Sequence, residues 1–344
     1  MKAGCYTALI TPFINNSIDY EGLDKLADFQ IKNGITGILA VGTTGESPTL
    51  SWEEHNKAIE IIINKSKDNC VSIAGTGSNN TREAIEATKH AARVGVDAVL
   101  LVDPYYNGPS SLEIRREYIE PIAAENSDII IIPYIIPGRT GAQMMPEDLA
   151  IVYNKYKNVC AVKEATGNIS NMQQTRKCCG PDFNIISGDD ALVYDMMTDP
   201  LIKASGVISV ASNIAPKAMT QMVANLTEGN IIEATKIKEK VEPLFQLVTV
   251  STKENTPYGE VICRARNPLA IKTLMTILGM PSGRCRRPLG KMTENGIQKV
   301  IEVLETIYNN SPEILRPIED YFNVNIKDRL NDKSFIKTLI YPEY

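Results

Sequence analysis

Histidine is almost missing from this chain of 344 residues: His55 and His90 are the only two. The seven cysteines are odd in number and scattered, and the adjacent pair Cys178-Cys179 has no metal-ligand spacing. A disulfide framework and a zinc site are therefore both excluded as organising features, and the thiols are expected to be small buried apolar groups. No apolar run approaches the ~20 residues of a membrane span. The start, Met1 to Pro12, lacks the long apolar stretch and small-residue cleavage site of a signal peptide, so the expected location is the cytoplasm. Basic runs are absent and the net charge is -5, which argues against nucleic-acid and membrane partners. The one dense basic spot, Arg284, Arg286 and Arg287, reads as a solvated or ion-paired turn in preference to an anion-binding site. No G-x-G-x-x-G follows the first strand-like run, and Gly75-Thr76-Gly77 stops short of it, so a dinucleotide site is not expected.

What the chain does have is a regular beat. Short apolar runs at 4–10, 36–41, 71–75, 97–102, 129–134, 159–163, 183–187 and 205–210 alternate with amphipathic segments near 20–33, 51–66, 79–94, 111–125, 146–156, 169–178 and 190–198. Ser51 with Glu54, and Thr81 ahead of Arg82-Glu83, are candidate helix caps, while Gly34 and Gly95 mark helix ends. Eight strands with intervening helices predict an α/β fold with a parallel sheet. Polar, glycine-rich motifs follow many different strands, which favours a closed (β/α)8 TIM barrel over an open sheet with one switch point. The expected division is a catalytic barrel over 1–214, a C-terminal helical region over 215–310 interrupted by the polar stretch 252–266, and a C-terminal extension over 311–344. That extension carries Phe322, Val324, Leu330, Phe335, Leu339 and Ile340, too many apolar groups for a solvated tail. It is expected to pack on the helical region or on a neighbouring subunit.

Five segments carry candidate chemistry. Val159-Cys160-Ala161-Val162 leads into Lys163 at a strand end. Burying a charged lysine is costly, and a lowered pKa both relieves that cost and makes a carbonyl-attacking amine. The plain alternative is a salt-bridged lysine, although Glu164 points to the opposite face by strand alternation. Gly42-Thr43-Thr44-Gly45-Glu46 is a nest suited to a small carboxylate, or else a tight turn with capping threonines. Tyr134 can relay protons, and Arg139 a few residues later can bind a carboxylate bidentately. Tyr105-Tyr106-Asn107 and Ser187-Gly188-Asp189-Asp190 follow two further strands and, taken singly, read as packing and as an ordinary loop.

Taken in order, Gly42-Thr43-Thr44-Gly45-Glu46, Pro104-Tyr105-Tyr106-Asn107, Lys163-Glu164-Ala165-Thr166-Gly167-Asn168 and Ser187-Gly188-Asp189-Asp190 resemble the dihydrodipicolinate synthase / N-acetylneuraminate lyase family over residues from about 3 to 305. The resemblance implies a lyase that condenses pyruvate with L-aspartate 4-semialdehyde in lysine and diaminopimelate biosynthesis, with no cofactor beyond a pyruvate imine on Lys163. It implies a homotetramer. Tyr134, Thr43 and Tyr106 would form a proton relay, Tyr106 reaching in from a neighbouring subunit. Thr43 and Thr44 would hold the pyruvate carboxylate, Arg139 that of the semialdehyde, and Gly188 and Ile208 would shape the pocket. Three features depart from the family pattern: Ile135 where asparagine is usual, Asp103 where threonine is common, and the extra lengths 252–266 and 311–344. By alternation, Ile135 should face away from Tyr134.

The resemblance also implies a lysine effector site at Ser47, Trp52, His55, Asn79, Glu83 and Tyr105. The side chains suit it: Glu83 can pair with an ammonium group, Asn79 and Tyr105 can hydrogen-bond a carboxylate, and Trp52 offers an aromatic face. The alternative is that these residues cap and pack the second and third helices. Two other functions stand beside the leading one: a pyruvate-releasing aldolase acting on a sugar acid, and a catalytically silent barrel that serves as a binding protein.

Overall fold

The computed structural model describes residues 1–343. Eight parallel strands close into a barrel: β1 (Gly4–Ala8), β2 (Gly37–Ala40), β3 (Val71–Gly75), β4 (Ala98–Val102), β5 (Ile130–Ile135), β6 (Ala161–Glu164), β7 (Asn184–Ser187) and β8 (Gly206–Ser209). Every strand lies within or one residue beyond its expected run. Closure pairs β1 with β8, with Gly4 opposite Gly206. That seam requires glycine: Gly206 has φ +144°, and a Cβ there would sit 1.9 Å from the Gly4 carbonyl oxygen. Inward positions, among them Tyr6, Leu39, Ile132, Ala161 and Ile208, fill the lumen as one apolar cluster. Alternate residues such as Val99, Ile131 and Val162 face outward into a second cluster with the helices. Both faces are buried, so the strands read as near-continuous apolar runs.

Helices α1 (Tyr20–Lys32), α2 (Trp52–Ser66) and α3 (Thr81–Val94) begin the outer ring. Ser51 caps α2 in a full capping box with Glu54. The cap of α3 is Asn80, not Thr81: the Asn80 side chain accepts from Arg82 N at 3.0 Å, while Thr81 is already helical and its hydroxyl donates to the Glu117 carbonyl. The expected helix 111–125 is broken into Ser111–Glu113, a π-helical stretch Ile114–Ile119, and Glu120–Glu125. Pro121 lacks an N–H and cannot continue an i to i−4 ladder, which accounts for the irregular turn before it. Helix Pro216–Glu228 follows β8 and packs on β1 as the eighth helix of the ring, so the βα alternation runs past residue 214.

The polar stretch after it is not a break between helices. Thr249–Thr256 and Gly259–Arg266 form an antiparallel hairpin, β9 and β10. Its buried face carries Val250, Thr252 and Glu254. Glu254 accepts from Thr252 Oγ1 at 2.6 Å and from Asn295 Nδ2 at 2.9 Å, which satisfies a carboxylate on the covered side. Strand pairing there rests on β-branched residues and hydrogen bonds, and an apolar-run criterion passes over it. The segment from 311 onward folds back on this same chain. Tyr321 donates to Asp28 at 2.6 Å, Phe322 lies 5.2 Å from the ring of Phe29 on α1, and Arg329 donates to the Thr276 and Ile277 carbonyls at 2.8 Å. Of the basic turn, Arg286 is ion-paired with Glu54 at 2.6 Å. Cys5, Cys179 and Cys285 are buried, the other four thiols partly so, and all seven are free.

Candidate active site

Lys163 stands at the carboxyl end of β6 and opens into a cavity of about 310 Å³. Its neighbours Val162 and Glu164 face the other way: Val162 joins the outer core, and Glu164 accepts from Thr166 N at 2.8 Å and Asn171 Nδ2 at 3.1 Å. Glu164 is thus held in the wall, as alternation requires. Burial lowers the Lys163 pKa to about 7, with Asp190 opposing and the Arg139 charge assisting. Asp190 itself accepts from Val210 N and Ala211 N at 2.9 Å each, which fixes it in the β8 loop. A half-neutral lysine at neutral pH is an amine nucleophile.

Tyr134 is opposite Lys163 in the β5–β6 register, and the Lys163 nitrogen lies 4.1 Å from its ring centroid. Burial pushes the Tyr134 phenol up to about 12, against the Arg139 charge and a hydrogen bond with Thr43. It therefore stays protonated and can hand a proton to a developing alkoxide. Ile135 points away into the outer core, as its position in the strand requires. Thr43, Thr44, Tyr134, Arg139, Lys163 and Gly188 all line the cavity. At Gly188 a Cβ would come within 2.7 Å of Ala165 Cβ and 3.1 Å of Lys163 Cε, so only glycine leaves room beside the amine. Ile208 lies deeper, in the lumen cluster, and Val210 takes the place at the cavity wall.

The Gly42–Glu46 loop is held by residues far along the chain. Glu46, in a left-handed conformation (φ 58°), accepts from Lys272 Nζ at 2.6 Å and from Arg286 N at 2.8 Å. Lys272 also donates to the Thr11 carbonyl at 2.9 Å, and both members of the pair are buried. Asn267 Nδ2 donates to Thr44 Oγ1 at 2.9 Å, and Arg139 donates to the Asn267 carbonyl at 3.1 Å. Sequence reading passed over Lys272, Asn267, Arg264 and Arg266. For Lys272 a signal existed: a lone lysine inside the apolar run Leu269-Ala270-Ile271-Lys272-Thr273-Leu274. Asp103, the other departure, is fully buried, and burial raises its pKa to about 8.

Tyr106 is 86% exposed and does not line the cavity of its own chain. Ser47 and Tyr105 line an adjoining cavity of about 190 Å³ that shares Thr43, Tyr134 and Arg139 with the first. Asn79 accepts from Tyr105 N at 2.7 Å, and Glu83 accepts from Ser78 Oγ at 2.6 Å. His55 donates through Nε2 to the Gly75 carbonyl at 2.9 Å, and burial depresses its pKa to about 4. Trp52 meets the His55 ring edge-on at 5.1 Å and is itself 43% exposed.

A closed parallel barrel with a desolvated lysine at the end of its sixth strand, a protonated tyrosine across from it and an arginine at the mouth defines a barrel enzyme built around an amine nucleophile. The Dihydrodipicolinate synthetase family profile matches residues 1–307. A 4-hydroxy-tetrahydrodipicolinate synthase from Methanococcus maripaludis is 40% identical over 304 residues, covering 88% of this chain and 98% of that one. The structure of the 4-hydroxy-tetrahydrodipicolinate synthase from Methylacidiphilum fumariolicum SolV superposes with a TM-score of 0.82 at 36% identity, covering 93% of this chain and 99% of that chain. A synthase of this kind from Cyanidioschyzon merolae, solved with lysine bound, gives a TM-score of 0.80 at 34% identity over 89% and 98% of the two chains. The chain belongs to the dihydrodipicolinate synthetase family.

Proposed function

We infer that this chain is a lyase, a 4-hydroxy-tetrahydrodipicolinate synthase, which condenses pyruvate with L-aspartate 4-semialdehyde for lysine and diaminopimelate biosynthesis. The observation that carries the reading is the Lys163 amine, with its pKa lowered to about 7 in an apolar lumen beside Tyr134. The neutral amine attacks the pyruvate ketone, and loss of water gives an imine. The imine acidifies the pyruvate methyl carbon, which gives up a proton to the relay and becomes an enamine, so no metal or other cofactor is required. The resulting enamine carbon adds to the aldehyde, whose oxygen takes a proton; the amino group of the semialdehyde then attacks the imine carbon, closes the ring and displaces Lys163 as the free amine. Tyr134 with Thr43 supplies and recovers these protons, and Tyr106 of a neighbouring subunit completes the relay. Thr43 and Thr44 hold the pyruvate carboxylate, Arg139 holds that of the semialdehyde, and Gly188 leaves space around the imine.

A cytoplasmic homotetramer belongs to the same reading. Among the described residues no helix is long and apolar enough to cross a membrane. A lysine effector bound by Ser47, Trp52, His55, Asn79, Glu83 and Tyr105 is supported by the lysine in the Cyanidioschyzon relative and by the cavity that joins Tyr105 to Tyr134. The deciding experiment is turnover of pyruvate with aspartate semialdehyde, run beside cleavage of sugar acids. Robust sugar-acid cleavage without condensation would replace the synthase by an aldolase.

A further inference from the structure

The β9–β10 hairpin reaches the mouth of the Lys163 cavity. Thr249, Arg264, Arg266 and Asn267 line it together with Arg139 and Lys163. Arg264 and Arg266 are two apart on β10 and share a face, while Ala265 between them is buried on the other. The hairpin is tied to the Arg139 turn in both directions: Arg139 donates to the Asn267 carbonyl at 3.1 Å and Arg266 donates to the Gly138 carbonyl at 3.3 Å. Among the described residues the arginine ion pairs are those of Arg115 and Arg286. Arg139, Arg264 and Arg266 therefore bring three guanidiniums without an ion pair to one cavity, where Asp189 is the one carboxylate of the lining. Asn267 adds a buried Oδ1 with no partner at the same wall. Like charges set side by side are unfavourable unless an anion joins them.

We propose that the β9–β10 hairpin is a specificity element, in which Arg266 and Arg264 share the carboxylate of the incoming aldehyde with Arg139. The proposal rests on the reaction assigned above and adds to it a second source of carboxylate recognition, from the polar stretch of the chain rather than from a barrel loop. The pyruvate carboxylate is assigned to Thr43 and Thr44, which this part of the chain reaches through Asn267 Nδ2 and not through Arg264 or Arg266, so the two substrates should respond differently. Charge-assisted hydrogen bonds at a partly wet site suggest about a five- to tenfold effect for each group.

Steady-state kinetics of wild type, Arg264→Ala, Arg266→Ala, Arg266→Lys and the Arg264→Ala/Arg266→Ala double variant test this, with Lys253→Ala as a control on the same hairpin. Lys253 pairs with Glu260 and does not line the cavity. The expected result is a KM for aspartate semialdehyde raised about five- to tenfold in each alanine variant and more in the double one. The KM for pyruvate and kcat should stay within about twofold, Arg266→Lys should recover part of the loss, and Lys253→Ala should match wild type. An unmoved aldehyde KM in the double variant of an active enzyme overturns the hairpin's role and leaves the assigned reaction standing. A rise confined to Arg266→Ala also overturns it, because Arg266 would then act only by bracing Gly138. A wild type that forms the pyruvate adduct but does not use aspartate semialdehyde overturns the assigned reaction itself, and the inference with it.

Discussion

Tyr134 and Lys163 are register partners on adjacent barrel strands, and the amine of one lies over the ring of the other at 4.1 Å. The ring faces a cation comfortably but offers no counter-charge, so burial decides the protonation of Lys163. Trapping of a pyruvate imine by borohydride should accordingly fall as pH drops through about 7 and level off above it. One pyruvate-derived mass should appear on the Lys163 peptide. Lys163→Arg should give none, since a guanidinium stays protonated. A trapping profile centred near the ordinary lysine value would contradict the desolvated site.

The same burial has a cost in stability. The folded-state pKa of Lys163 is lowered to about 7, below its unfolded value, so the unfolded chain binds more protons between the two. The penalty is complete below pH 7 and fades as pH rises toward ~10.4. Lys163→Met should therefore be more stable than wild type at pH 7, with the gain shrinking steadily in alkaline buffer. Chemical denaturation at pH 7, 8.5 and 10 reads this directly; a gain that grows with pH would reverse the argument.

Tyr134→Phe keeps the packing and removes the proton donor. Positioned acid–base groups contribute ~10²–10⁴-fold, and a loss in kcat of that order is expected with the melting temperature little changed. Wild-type turnover in this variant would remove Tyr134 from the relay.

Lysine should inhibit partially, because the adjoining cavity shares a wall with the Lys163 cavity but does not contain the amine. A titration of initial rate at saturating pyruvate, with wild type and Glu83→Ala, measures it. The variant should be less sensitive. Equal sensitivity, or none in either protein at millimolar lysine, rules the site out.

Lys272→Met tests what holds the Gly42–Glu46 loop. It leaves Glu46 buried with its backbone donor from Arg286 but without its cation. Removing one partner of a buried pair costs ~3–5 kcal/mol. Denaturant unfolding should show a loss of that size, and KM for pyruvate should rise as Thr43 and Thr44 lose their fixed geometry. A stability within ~1 kcal/mol of wild type would mean that the pair contributes little.

The barrel was legible in the sequence because strands buried on both faces leave continuous apolar runs, interrupted only where chemistry requires a polar group. Lys163 stood out for that reason. The β9–β10 hairpin was hidden because its inward face uses Thr252 and Glu254, whose polarity is answered by Asn295 on a distant helix. Lys272 and Asn267 could not be connected to Glu46 and Thr44 by any local pattern, since more than two hundred positions separate the members of each pair. Tyr106 stays exposed on its own chain, so the role implied for it depends on a second copy.

The Gly4–Gly206 seam has a consequence for how the protein is made. β1 leaves the ribosome before β8, one of its two partners, which is synthesised about 200 residues later. At 5–20 residues per second that interval is ~10–40 s. Throughout it, one edge of an apolar strand has no neighbour, which is the condition under which growing chains misassociate. Elongation speed and chaperone supply, rather than the stability of the finished barrel, should therefore govern how much of this protein a cell recovers in usable form.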